Sequence, residues 1–188
     1  SAASDVYKRQ MKKISLVVSL FVSSVFAMQI DVKKSIVSWK GTKITGALHE
    51  GRLPVKKAVV NQKKGGHWGE VELDLANFTV TDIKGESAEK FLGHMKSADF
   101  FNTKKYPTAK LKINSVKGYE ATGDLTIMGK TQKVNFPLIK FSNKYVGKVT
   151  FDRTKFGMTY GSGNFFKNLG DKVINDEVEV DFEMFYTK

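Results

Sequence analysis

Three histidines, His49, His67 and His94, are the side chains of this chain best suited to acid–base or metal chemistry. None stands at ligand spacing with another histidine or carboxylate on a common helix face, and the chain has no cysteine to complete a set. A metal protein or a His-based enzyme would need all three to converge in space. Gly161-Ser162-Gly163 carries a serine in a Gly-rich turn, but no Gly-x-Ser-x-Gly elbow is present. Glu177 and Glu179 fall on the polar side of an alternating segment, which is solvent rather than a cleft. There is no phosphate-cradling Gly-rich loop and no dinucleotide fingerprint. Nothing positive suggests an enzyme, and no catalytic residue, metal site or cofactor is expected.

Aromatic content is the remaining chemical signal, with 14 Phe, 6 Tyr and 2 Trp. Trp39, Phe78, Phe91, Phe100, Phe101, Tyr106, Phe151, Phe156, Tyr160, Phe165 and Phe166 cluster where strands end or where a short helix falls. Such a set either fills a core or lines an apolar pocket.

The elements that hold these residues are strands. Ala109, Leu111 and Ile113 alternate with Lys110, Lys112 and Asn114, and Ala121, Gly123, Leu125 and Ile127 with Thr122, Asp124 and Thr126. Val134, Phe136 and Leu138 follow, then Tyr145, Gly147, Val149 and Phe151. The last run is the clearest: Val178, Val180, Phe182, Met184 and Tyr186 against Glu177, Glu179, Asp181 and Glu183. Strict period two means half-buried strands with one apolar face. Lys117-Gly118, Met128-Gly129-Lys130 and Ser142-Asn143 are turn signals between them. Earlier strands are expected over 29–43, 58–63 and 70–80, with Lys63-Lys64-Gly65-Gly66 as a turn. The fold class is therefore all-β: an antiparallel barrel or sandwich of about eight strands. In a barrel of that size the interior is either filled by side chains or holds one small ligand, and periodicity leaves both open. Residues 86–97 break the rule. Ala88, Phe91, Leu92 and Met95 recur at helical spacing and predict one short helix, preceded by Asp82 or Gly85 and ended by Asp99-Phe100-Phe101-Asn102. It either covers an open barrel end or patches a gap in the core.

Residues 11–27 read as a signal peptide. Lys12 and Lys13 precede an uncharged run from Ile14 to Phe26, and Val25 and Ala27 occupy the small-residue positions of a cleavage site. Residues 1–10 look like a non-native extension, and 28–188 is expected as a single exported domain. The chain carries a net charge of +12. Its lysines are scattered along strand faces, which reads as solvated surface; a basic module binding anionic lipid or polymer is the alternative.

A set of short pieces, taken in order, resembles the YceI-like family. The most distinctive is Phe91-Leu92-Gly93-His94-Met95-Lys96-Ser97-Ala98-Asp99-Phe100-Phe101 followed by Lys105-Tyr106-Pro107. Ser35–Gly41, Gly46-x-x-His49-x-Gly51, Gly123–Ile127 with Gly129, Asp152-Arg153-Thr154 and Tyr160-Gly161-Ser162 fall around it in the family's order. Met95 stands where leucine is usual, a mild apolar exchange. The resemblance implies an extended, lipocalin-like antiparallel barrel, usually periplasmic, whose lumen holds a polyisoprenoid or similar long amphipathic lipid without catalysis. The residues then expected at the ligand are Trp39, Phe78, Phe91, Leu92, Met95, Phe100, Phe101, Phe151, Phe156, Tyr160 and Phe182. Arg153, Lys155 and His94 are expected near a polar head at the mouth. The partners implied are this lipid and a transient membrane contact, with no nucleic acid.

Overall fold

The computed structural model describes residues 27–61 and 68–187. The expected leader up to Phe26, the Lys63–Gly66 turn and His67 lie outside the described residues. Sequence alternation becomes an inside and an outside because successive strand side chains point to opposite faces. The strands are β1 (Ala27–Gln29), β2 (Ile36–Lys43), β3 (Leu48–Arg52), β4 (Val55–Asn61), β5 (Gly69–Asp74) and β6 (Thr79–Val80). After helix α1 (Gly85–Lys96) come β7 (Thr108–Lys117), β8 (Glu120–Ile127), β9 (Lys130–Lys140), β10 (Lys144–Asp152) and β11 (Ile174–Phe185). All pairings are antiparallel, in one sheet ordered β1-β4-β5-β7-β8-β9-β10-β11-β2-β3-β6.

The sheet curls until its ends meet. At Leu53-Pro54 one continuous stretch leaves β2 for β5: the Leu53 N–H still donates to Val37 O (2.9 Å), while Pro54 O already accepts from Asp74 N–H (2.9 Å). β3 and β4 are thus two halves of one bent strand. The second seam is made by the start of the domain. β1 lies on β4, and just beyond it Ile30 bridges to Tyr186 after β11, with Thr187 N–H donating to Gln29 O at 3.0 Å. With β3 and β4 taken together and short β1 and β6 set aside, eight strand positions circle the axis, as the sequence pattern predicts.

The apolar alternations all face inward. Val37, Ala109, Ala121, Leu125, Val134, Phe136, Leu138, Val149 and Met184 are buried there. Lysines and acids pair outside, as in Lys148 with Glu179 (2.9 Å) and Lys144 with Glu183 (2.8 Å). The three expected turns occur, and left-handed backbone at Gly118 and at Met128-Gly129 makes two of them tight.

Two expected strands prove shorter. The segment 29–43 breaks after β1, because the Asp31 carboxylate accepts from the Lys33 and Lys34 N–H groups and turns the chain. The segment 70–80 breaks after Asp74, whose carboxylate takes the N–H groups of Ala76 and Asn77 (2.9 and 3.2 Å). Val80 then joins β3 instead. Asp82 does not cap α1; its carboxylate is held by β3, and Lys84 precedes the helix without a side-chain cap.

Candidate functional site: the barrel lumen

The inward faces do not meet across the barrel. They enclose a cavity of about 1120 Å³ lined by side chains from every long strand. On β11 the lining runs from Ile174 to Met184, which at about 3.3 Å per residue is a path of roughly 30 Å. Val71, Leu73, Leu111, Ile113, Leu125, Leu138, Val149, Val180 and Phe182 make its wall. Charged and imidazole groups on the lining stand only near its ends: Lys43, His49, His94, Arg153 and Lys172 at one, Lys140 at the other.

Glycine widens the lumen locally. Gly147 on β10 faces Phe182 on β11, and a Cβ there would sit 2.3 Å from the Phe182 ring. The bare backbone lets that ring lie flat along the wall, edge-on to Phe136 at 6.2 Å. Gly51 does the same for Trp39, whose indole N–H crosses it to reach Thr79 O (3.0 Å).

Helix α1 covers the end near Ile174. No residue of it is fully buried, but Phe91 and Met95 reach the cavity. Phe91 stacks on Trp39 (6.0 Å between centroids, 9° between planes) and lies 4.5 Å from the His49 ring. Trp39 meets Phe78 edge-on, and Phe78 meets Phe101. His94, Phe100 and Tyr160 form a second cluster at 4.6–5.5 Å. The cover is therefore a set of aromatic contacts beneath an otherwise wet helix.

Both histidines of the cover are held by carboxylates. His49 Nδ1 pairs with Asp82 at 2.7 Å and His94 Nε2 with Asp99 at 3.2 Å. Burial would raise the Asp82 pKa, but bonds from the Glu50 N–H and His49 overcome it and hold the carboxyl below its usual range. Among the described residues no three His, Asp or Glu side chains gather as a metal set.

Beside the cover, Arg153 organises the loop between β10 and β11. It is 3% exposed and opens a 3-10 turn, Arg153–Phe156, that Asp152 caps through the Thr154 N–H. Its five N–H groups meet five acceptors: the carbonyls of Met158, Tyr160, Ile174 and Asn175, and the Asp176 carboxylate. Burial lowers its pKa, and the Asp176 and Asp152 carboxylates work against that. Asp176 also accepts from Ser162, which is fully buried, and from Asn164.

Of the residues expected at a ligand, Trp39, Phe78, Phe91, Met95, Phe100, Phe101, Phe151, Tyr160 and Phe182 line the cavity. Leu92 and Phe156 do not. Leu92 packs half-buried against the core, and Phe156 is sealed behind Phe151 at 5.4 Å. His94 and Arg153 lie on the lining, but Arg153 has no N–H left for a head group, and Lys155 is exposed off the lining. The expectation missed the wall from β4 and β5. There Val71, Leu73 and Leu75 alternate with Glu70, Glu72 and Asp74 as plainly as in β11. It also missed His49 as part of the cover, since its partner Asp82 stands 33 positions away.

Comparison with known proteins agrees with this geometry. The model of the YceI-like domain matches residues 28–185. A UPF0312 protein of Photorhabdus laumondii is 49% identical over 45 residues, 22% of this chain and 23% of that protein. Protein YceI of Escherichia coli is 42% identical over 67 residues, 32% of this chain and 35% of that one. The chain thus spans about a quarter to a third of the length of these curated relatives. A polyisoprenoid binding domain from Saccharophagus degradans, implicated in plant cell wall breakdown, superposes with a TM-score of 0.63 at 18% identity. That match covers 85% of this chain and 97% of the domain, and it carries the fold.

Proposed function

Because this chain belongs to the YceI-like domain family, we propose that its lumen holds one polyisoprenoid or similarly long amphipathic lipid, as a non-catalytic carrier or store. The carrying observation is the long cavity whose wall is apolar between two polar ends. About ten buried methylene equivalents, at ~0.8 kcal/mol each, match the roughly 8 kcal/mol of a micromolar complex before ordering costs. Further methylenes of a long chain offset those costs, so affinity is expected to come from chain length. The solved polyisoprenoid binding domain of the same fold supports the ligand class.

We propose further that the chain is exported to the periplasm and cut between Ala27 and Met28. The family match beginning at residue 28 supports this. Intact mass of the exported protein checks it; a membrane-retained chain still starting at Met11 counts against it.

The lumen reading is tested by titrating lipid-stripped protein with prenyl lipids of increasing length. Affinity is expected to rise with length until the cavity is full and to change little with salt, since burial rather than charge drives it. Affinity independent of length, or lost in moderate salt, rejects the lumen as the site.

A further inference from the structure

The covered end of the barrel carries large apolar side chains that serve neither core nor lumen. Ile44 is 64% exposed at the β2–β3 hairpin tip, and Phe165 and Phe166 are 58% and 47% exposed on the loop between β10 and β11. The two segments are one surface. Ile44 N–H donates to Val173 O, Gly161 O accepts from Ile174 N–H, and Val173 lies against Gly163. The platform beneath is rigid, because the Arg153 and Asp176 network fixes the loop's backbone, while its two phenylalanines point away. An aromatic pair held in water by a stiff loop is an unpartnered surface that calls for an occupant.

Charge says which occupant. Within the tip 43–48 and the loop 157–173 stand Lys43, Lys167 and Lys172 against one acid, Asp171. The whole chain is basic as well. Apolar rings flanked by lysines fit a bilayer interface, where rings enter the acyl boundary and ammonium groups meet anionic head groups. The lining of the lumen reaches this same end, at Tyr160 and Lys172 of the loop. We infer that this rim docks the barrel, with its α1-covered end toward the bilayer, on an anionic lipid surface. The docking surface lies beside the lumen proposed above, but it is a separate surface and is read without any lumen ligand.

The experiment is flotation of the lipid-stripped protein with phosphatidylglycerol-containing vesicles and with pure phosphatidylcholine vesicles. Binding is expected to the anionic vesicles, weaker in high salt. Phe165→Ser with Phe166→Ser, and separately Ile44→Ser with Lys167→Glu, are expected to weaken it by about tenfold or more. Phe141→Ser, altering an exposed ring on the β9–β10 turn at the opposite end, is expected to leave it unchanged. Prenyl-lipid titration of the rim variants without vesicles is expected to match the parent, which also shows that they fold. Undiminished vesicle binding by both rim variants, or equal loss with Phe141→Ser, overturns the inference. So does a parent that dimerises and becomes monomeric in the Phe165→Ser, Phe166→Ser variant, since the rim is then a self-interface. Vesicle binding without prenyl-lipid uptake leaves the docking standing and removes the lumen reading; uptake without vesicle binding does the reverse.

Discussion

Phe182 and Glu179 sit three residues apart on β11, on opposite faces. Phe182 borders empty space, so Phe182→Ala enlarges an existing void instead of opening a new one. Its cost is expected below the ~3–5 kcal/mol of a packed phenylalanine, while Glu179→Ala, which loses one exposed pair to Lys148, is expected at about 0.5 kcal/mol or less. Denaturant titration checks both, and comparable large losses would mean the strand's faces are misassigned. Arg153 is the opposite case. Arg153→Leu removes the guanidinium from Asp176, which keeps only its neutral donors Ser162 and Asn164, and takes the arginine's bond from four backbone carbonyls, at a cost on the order of 3–5 kcal/mol. Hydrogen exchange is expected to place that loss in residues 157–173; a variant as protected there as the parent would show that the loop holds itself. The sequence offered Arg153 as a head-group contact because arginine near a mouth suggests an anion. Four of its five acceptors are backbone carbonyls, which no side-chain pattern encodes.

Helix α1 was legible from Phe91, Leu92 and Met95, because 3.6-residue periodicity stands out against period two. Its role as a cover was not, since that depends on Trp39 and His49 arriving from β2 and β3. Gly93 begins its last turn, and a Cβ there would meet nothing within 4 Å. Gly93→Ala is therefore expected to stabilise the protein by about 0.5–1 kcal/mol through helix propensity alone. A lower midpoint in thermal unfolding would mean that the glycine serves some contact or movement of the cover. The strands from β7 to β11 were legible almost residue by residue. The breaks at Asp31 and Asp74 were not, because an aspartate that turns the chain looks like one on a wet strand face until its backbone partners are known.

For the molecule as a whole, the sequence supports a barrel but leaves filled and hollow equally open. Alternation reports which side a residue faces and is silent on how far it is from the opposite wall. Hollowness has a thermodynamic signature. A guest that binds only the folded barrel, at about a hundred times its Kd, adds roughly 2.7 kcal/mol of stability, an increase in midpoint of about 5–10 °C for a domain of this size. Calorimetry of lipid-stripped protein with and without a saturating prenyl lipid measures it, and an unmoved midpoint contradicts occupancy of the lumen.

The second seam has a consequence in time. It joins Gln29 to Thr187, residues 158 positions apart, so the ring closes only after both ends of the domain have been delivered to the same place. Contacts of such sequence separation carry the largest loop-closure entropy and form late. Until they form, the inner wall is a trough rather than a tube. Closing the ring and filling it are therefore distinct events, and refolding with and without a prenyl lipid present measures their order.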